Sequence, residues 1–398
     1  MAIEFVLFGL TLLGVALFHR HTLVVALLGL AAITSYKVFL GDFHGQPGWL
    51  GLWFHLGEEW VILANLFALL VGFALLSRHF EESRVPHVLP RYLPDDWKGG
   101  FALLAMVFVL SSFLDNIAAA VIGATVAGTI YRGRVHLGFL AAIVAASNAG
   151  GAGSVVGDTT TTMMWLDGVS PLDVLHAYVA SIAAFFVFAI PAARVQQAHS
   201  PIEKHADAQI HIDWSRVIIV VLILVSAIAA NVHANRLPYE QASAFPYIGA
   251  TVIGVILLVT PWRRPDWKVV PKAAAGSVFL LSLVLSASMM PVEHLPPASA
   301  AVTFVLGLVS AVFDNIPLTK LALEQGGYDW GALAYAVGFG GSMIWFGSSA
   351  GVAVSNLFPE AKSVGQWLRD GWYVTVGYCV GFIVLMAVLG WNPHAPHR

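Results

Sequence analysis

Long apolar runs, separated by short charged stretches, cover this chain from end to end. Uninterrupted runs lie at Ile3–Phe18, Thr22–Leu40, Trp60–Leu76, Val174–Val195, Val217–Ala230, Pro246–Thr260, Ala273–Met290 and Trp372–Leu389. Most approach or reach the roughly 20 residues that span a bilayer as helix. Four further runs are interrupted. Phe101–Tyr131 is broken at Asp115 and Ala298–Leu323 at Asp314. Leu137–Leu166 is broken at Gly150, Gly151 and Gly157, and Gly331–Leu357 at Gly340, Gly341 and Gly347. The pattern predicts an all-α polytopic membrane protein, and no period-two alternation supports a barrel.

The interruptions are paired between the halves. Ser111-Ser112-Phe113-Leu114-Asp115-Asn116-Ile117 returns as Ser310-Ala311-Val312-Phe313-Asp314-Asn315-Ile316, and each copy is followed by a glycine-broken run. The Asp-broken runs hold about 30 residues each, whereas two crossings and a turn need roughly 40 or more. Each is therefore expected to be a re-entrant hairpin. Backbone that turns at membrane depth must be satisfied by protein or by a wet cavity, which places both Asp-Asn tips in a buried polar region.

Charge fixes the expected orientation. Arg78, Arg84, Arg91 and Lys98 precede the first hairpin, and Arg132 and Arg134 follow it. Both flanks are basic and so cytoplasmic. Glu293 and Asp329 flank the second, with no Lys or Arg in either loop, so it enters from outside. Arg194, Lys204 and Arg216, then Arg263, Arg264, Lys268 and Lys272, then Lys362 and Arg369, mark further inner loops. Lys37 and Arg236 fit this scheme less well. The expected architecture has about ten full spans and two hairpins of opposite entry, with both termini outside, in an inverted-topology repeat. Its parts are residues 1–59 (N-terminal spans and outer loop), 60–195 (first repeat), 196–272 (linker and connecting spans) and 273–398 (second repeat). The start is read as a retained span rather than a signal peptide.

Composition agrees. Of 398 residues 58% are apolar and 11% charged, against about 25% charged in soluble domains. One cysteine, Cys379, excludes an internal disulfide. Nothing suggests nucleic-acid binding, and the net charge of −3 says nothing about partners. Many of the thirteen tryptophans sit near predicted span ends, as an interfacial belt requires.

Intramembrane carboxylates are costly and therefore functional candidates. Asp115 and Asp314 stand at the two hairpin tips, each followed by Asn116 or Asn315. Pro317 suits the start of a returning helix, so Asp314 or Asn315 is a candidate cap. Asp158 opens Thr159-Thr160-Thr161-Thr162 where the first broken helix restarts, and Ser348 is its counterpart. Carboxylates, hydroxyls and freed carbonyls are hard ligands suited to a small hard cation. The alternative is that these residues only cap and pack helices. Asn148 is either a ligand or an interhelical hydrogen-bonding group. Lys320 either pairs with a carboxylate, Asp314 or Asp158, or snorkels outward. His55, Glu58 and Glu59 read as a solvated cluster, and His176 as a satisfied histidine within a span.

At these motifs the chain resembles the ion transporter superfamily, which includes arsenite permeases, citrate and dicarboxylate carriers and NhaD-type sodium/proton antiporters. Gly157-Asp158-Thr159-Thr160-Thr161-Thr162-Met163-Met164-Trp165, and Gly340-Gly341-Ser342 leading to Gly347-Ser348-Ser349-Ala350-Gly351, are most similar to the NhaD type. The resemblance implies transport roles for Asp115, Asn116, Asn148, Asp158, Thr160, Thr161, Ser310 and Asn315. It also implies a homodimer and rigid-body movement of a transport domain against a scaffold. Lys320 is not expected in that pattern. The resulting expectation is a non-enzymatic, cofactor-free, bacterial inner-membrane antiporter in contact with membrane lipid. It would exchange Na⁺ or Li⁺ for protons, using Asp115, Asp158 and Asp314. The alternative is a permease for citrate, another carboxylate or arsenite, in which three carboxylates would repel the substrate.

Overall fold

The computed structural model describes residues 3–394 except 19–20, 44, 89–91, 156, 203–210, 235–236, 238–240, 242–243, 292–294 and 314. Helix dominates. A first group is α1 (Ile3–Leu17), α2 (Thr22–Phe39), α3 (Gly48–Glu82), the single turn α4 (Val85–Val88), α11 (Trp214–Ala234), α12 (Tyr247–Val259) and α13 (Val270–Ser288). A two-residue antiparallel ladder, β1 (Asp42–Phe43) with β2 (Gln46–Pro47), joins α2 to α3. The long helix α3 packs against α2, α11, α12 and α13. It begins twelve residues before the run Trp60–Leu76, because His55, Glu58 and Glu59 lower the apolar signal without breaking the helix.

Among the described residues, four helical segments are individually long and apolar enough to cross a membrane: Thr22–Phe39, Gly48–Glu82, Pro171–His199 and Trp267–Ser288. The pair Val364–Asp370 and Trp372–Val388, bent by 63°, would make a fifth.

The second group carries the repeated motifs. It holds α5 (Trp97–Ser111), α6 (Asn116–Ile130), α7 (Leu137–Ala152), α8 (Thr159–Leu166), α9 (Pro171–Leu175) and α10 (Ala177–His199). Later in the chain follow α14 (Ala300–Ser310), α15 (Asn315–Gln325), α16 (Trp330–Gly340), α17 (Ser349–Leu357), α18 (Val364–Asp370) and α19 (Trp372–Val388). Each interruption read from the sequence is thus a helix end followed by a restart.

The arms around Asp115 lie side by side. Gly123 of α6 rests on Val107 of α5, the two residues being equally far from Asp115, and the Tyr131 hydroxyl sits over Gly100. In the second copy the far ends of the arms meet: Gln325 Nε2 donates to Pro296 O at 2.6 Å, and Gly327 lies beside Ala298.

Packing pairs match between the halves. Helix α5 packs on α7 as α14 does on α16; α6 packs on α17 as α15 does on α8; α7 crosses α16, and α10 lies against α19. The returning arm of each Asp-Asn motif therefore rests on the restarted helix of the other half. Glycines set these approaches. A side chain on Gly150 would collide with the carbonyl of Phe108, and one on Gly340 with the carbonyl of Gly307. Gly157 and Gly347 meet the carbonyls of Ser111 and Ala311 in the same way.

Gly150→Ala and Gly340→Ala should each destabilise the protein by at least about 1–3 kcal/mol, since backbone has to move to admit the methyl. Gly276→Ala on α13, with nothing within 4 Å of its Cβ position, should leave the melting temperature unchanged or raise it slightly. Thermal unfolding in detergent measures all three.

Candidate functional site

A broken helix frees backbone carbonyls and N–H groups that lipid cannot satisfy. Side chains satisfy them here. After α7, the Thr161 hydroxyl donates to Ser154 O at 2.5 Å and to Asp158 O at 2.9 Å. The Thr162 hydroxyl donates to Val155 O and Asp158 O, at 2.8 and 3.0 Å. The Tyr178 and Ser112 hydroxyls both donate to Gly150 O, each at 3.1 Å. In the second half Ser310 Oγ donates to Val337 O at 2.7 Å, and Trp367 Nε1 to Ser342 O at 3.1 Å. Thr161 and Ser310, both singled out in the sequence, therefore use their protons to hold the backbone of the breaks.

Where α8 restarts, Asp158 is the N-cap: its Oδ1 accepts from Thr160 N at 3.2 Å. Ser348 caps α17 equivalently, its hydroxyl accepting from Gly351 N at 3.3 Å. Asp115 precedes the first residue of α6. It lines a narrow cleft with Thr159 and Thr162 of α8 and with Leu66, Leu69, Leu70 and Phe73 of α3. Thr159, which shares this cleft, directly follows Asp158, so both carboxylates belong to one region.

Asn148 ties the crossing together. Its Oδ1 accepts from Asn116 Nδ2 at 3.1 Å, and its Nδ2 donates to Ser342 Oγ at 2.9 Å and Ser348 Oγ at 3.1 Å. All four residues are buried. One amide thus joins the start of α6, the first broken helix and the break in the second. Its counterpart on α16 is Gly338, where a Cβ would stand 3.2 Å from Asp158 Oδ2. Thr160 and Ser111 are fully buried, and their hydroxyls have no hydrogen-bond partner among the described residues.

The starts of α6, α8 and α17 thus share one region. Each helix start carries about half a positive charge, which favours carboxylates placed there. Among the described residues no three His, Cys, Asp or Glu side chains cluster as a metal site. The arrangement can present two carboxylates and several neutral oxygens to a small cation or a proton. Asn315 is buried at the start of α15, which packs against α8. Asp314 lies outside the described residues.

Of the two readings of Lys320, pairing with a carboxylate holds and snorkelling does not, though with partners other than those expected: its Nζ bonds Glu59 Oε1 at 2.9 Å and Glu324 Oε1 at 2.8 Å. One expectation is corrected: Glu59 and His55 are not part of a solvated cluster. Both are buried, and His55 Nε2 lies 2.9 Å from Ser288 Oγ. Sequence reasoning also missed Ser342, although it follows Gly340-Gly341 directly and so falls within the break.

Asn148→Ala would strip three buried polar groups of a partner and should cost about 1–3 kcal/mol. Thr129→Ala, whose exposed hydroxyl bonds only Thr125 O of its own helix, should stay within about 0.5 kcal/mol of wild type. Denaturation in matched detergent compares them.

A family model described as a citrate transporter (CitMHS) matches residues 5–340. The sodium/proton antiporter 1 of Arabidopsis thaliana is 26% identical over 329 residues, 73% of this chain and 55% of that relative. The chain thus spans little over half of that relative's length. The sodium/proton antiporter 2 of the same plant is 25% identical over 384 residues, 80% of each chain. The Na⁺/H⁺ antiporter NhaD of Alkalimonas amylolytica is 26% identical over 352 residues, 74% of this chain and 68% of the relative. A match over most of the chain, joined to apolar helices and helix breaks that meet beside Asp115 and Asp158, makes this a multi-pass membrane transporter belonging to the citrate transporter family of the ion transporter superfamily, with NhaD-type relatives.

Proposed function

We propose that this protein is a secondary antiporter of a bacterial inner membrane that exchanges Na⁺ or Li⁺ for protons by alternating access. The observation that carries the reading is the pair Asp115 and Asp158, set where three helix starts meet and surrounded by neutral oxygens. In this proposal Asp115, Asp158 and Asp314 exchange protons for the cation. Asn116, Asn148, Thr160, Asn315 and Ser348 contribute neutral ligands. Thr161 and Ser310 orient the breaks and can still offer lone pairs. Relatives named as sodium/proton antiporters support the cation.

The family description supports citrate as the second reading, and converging helix starts suit an anion. The carboxylates stand at those same helix starts, and they favour a cation over a tricarboxylate.

The proposal includes the membrane arrangement: about ten full spans, two re-entrant hairpins of opposite entry, and inverted repeats over 60–195 and 273–398 flanked by 1–59 and 196–272. The matched packing pairs and the side-by-side arms support it. A homodimer in contact with membrane lipid belongs to the same proposal.

In proteoliposomes, Na⁺ and Li⁺ should collapse an imposed pH gradient, whereas K⁺ and citrate should not. Asp115→Asn and Asp158→Asn should bring that exchange to background while the protein stays folded, since the amide keeps the shape and loses the charge. Citrate flux, or normal exchange in both variants, would overturn the reading. For topology, cysteines at Arg91 and Arg134 should label from the cytoplasm, and cysteines at Glu293 and Asp329 from outside. A pair split between faces would refute the hairpins.

A further inference from the structure

The buried ion cluster around Lys320 takes no part in the site above. Lys320 lies a turn and a half beyond Asn315, roughly 7.5 Å along α15. Side-chain exposures are 4% for Lys320, 9% for Glu59 and 21% for Glu324. The two acidic partners differ in where they are mounted. Glu324 is one turn along α15 and goes wherever Lys320 goes. Glu59 is on α3, in the other helical group. Past Glu59, α3 presents Leu66, Leu69, Leu70 and Phe73, the side chains that cover Asp115, Thr159 and Thr162. One helix therefore holds α15, which begins at the second Asp-Asn motif, by charge and covers the first motif with hydrocarbon.

A buried ion pair is poor evidence of a stability device, because apolar residues of similar volume often serve as well. Its better-attested use is to fix the register of two elements. We propose that Glu59 and Lys320 form a position-specific ionic latch. It fixes the level of α15 against α3 and thereby holds the cleft over Asp115 closed. Glu324 is the partner that travels with the lysine: when α15 shifts relative to α3, Lys320 leaves Glu59 and remains paired. The inference rests on the alternating-access reading, and within it Glu59 and Lys320 are positioning residues rather than ligands.

The test reads cleft opening without transport. In a Cys379→Ser background, Leu70→Cys places one thiol in the cleft, and its labelling by a membrane-impermeant maleimide is timed in proteoliposomes. Glu59→Gln and Lys320→Met should each raise the labelling rate at least about tenfold, since breaking a buried pair removes more than that factor from the latched state. The exchange Glu59→Lys with Lys320→Glu should bring the rate back to within about twofold of the parent. Glu324→Gln, which leaves the latch intact, should stay within about threefold. If Glu59→Gln fails to fold, Glu59→Asp keeps the charge on a shorter arm and should give an intermediate rate. Parent-like labelling in Glu59→Gln, or in Glu59→Asp in its place, would overturn the latch, as would failure of the charge exchange to restore protection. Because labelling is scored apart from flux, absence of Na⁺/H⁺ exchange in the parent would count against the transport reading without deciding the latch.

Discussion

The structure depends on backbone meeting backbone at the glycines of two broken helices. Gly150 and Gly340 lie directly on carbonyls of α5 and α14, and Gly157 and Gly347 repeat this contact past each break. Side chains at these positions would hold the segments apart. With them close, each returning arm reaches the restarted helix of the other half. Helix starts that would otherwise be scattered are gathered in one buried region. The freed carbonyls are then satisfied by Thr161, Thr162, Tyr178, Ser310 and Trp367, as hydrocarbon surroundings demand.

The two halves share this backbone but not its chemistry. Where the first repeat has Asn148, the second has Gly338; where the first has Asp158, the second has Ser348. The differences are complementary across the crossing. Asn148 reaches Ser348 by a hydrogen bond between neutral groups, while Gly338 lets the backbone of α16 approach the Asp158 carboxylate. One side of the crossing is thus knitted by neutral hydrogen bonds. The other carries charge, together with Asp115 and the buried Thr160 hydroxyl. Carboxylates set among neutral oxygens are the groups through which such a site could hold either a proton or a metal cation.

Much of this was legible in the sequence, for a physical reason. Glycine and aspartate inside apolar runs are costly, so their positions mark the breaks directly: Asp115, Gly150, Gly157 and Gly340 all fall at helix ends or restarts. The roles of Asn116, Asn148 and Ser348 as polar groups at the crossing followed from the same logic. Contacts between distant parts of the chain did not. Glu59 reads as a loop residue because His55 and Glu58 stand beside it, and its burial comes from Lys320, far away in sequence. The demand itself was visible: an ammonium in an apolar helix needs an acid, and Glu324 lies one turn away on the same face. Which hydroxyls face the crossing and which hold the breaks was likewise hidden, since Thr160 and Thr161 differ only in the direction that helical rotation gives them.

The central claim is that proton and cation compete for the carboxylates at the crossing. Proton release from purified protein in weakly buffered detergent, followed with a pH electrode as salts are added, tests it most directly. The account predicts that Na⁺ or Li⁺ releases protons in proportion to protein and that K⁺ releases none. A pH trace that is flat with Na⁺ and Li⁺ yet responds to citrate would contradict it.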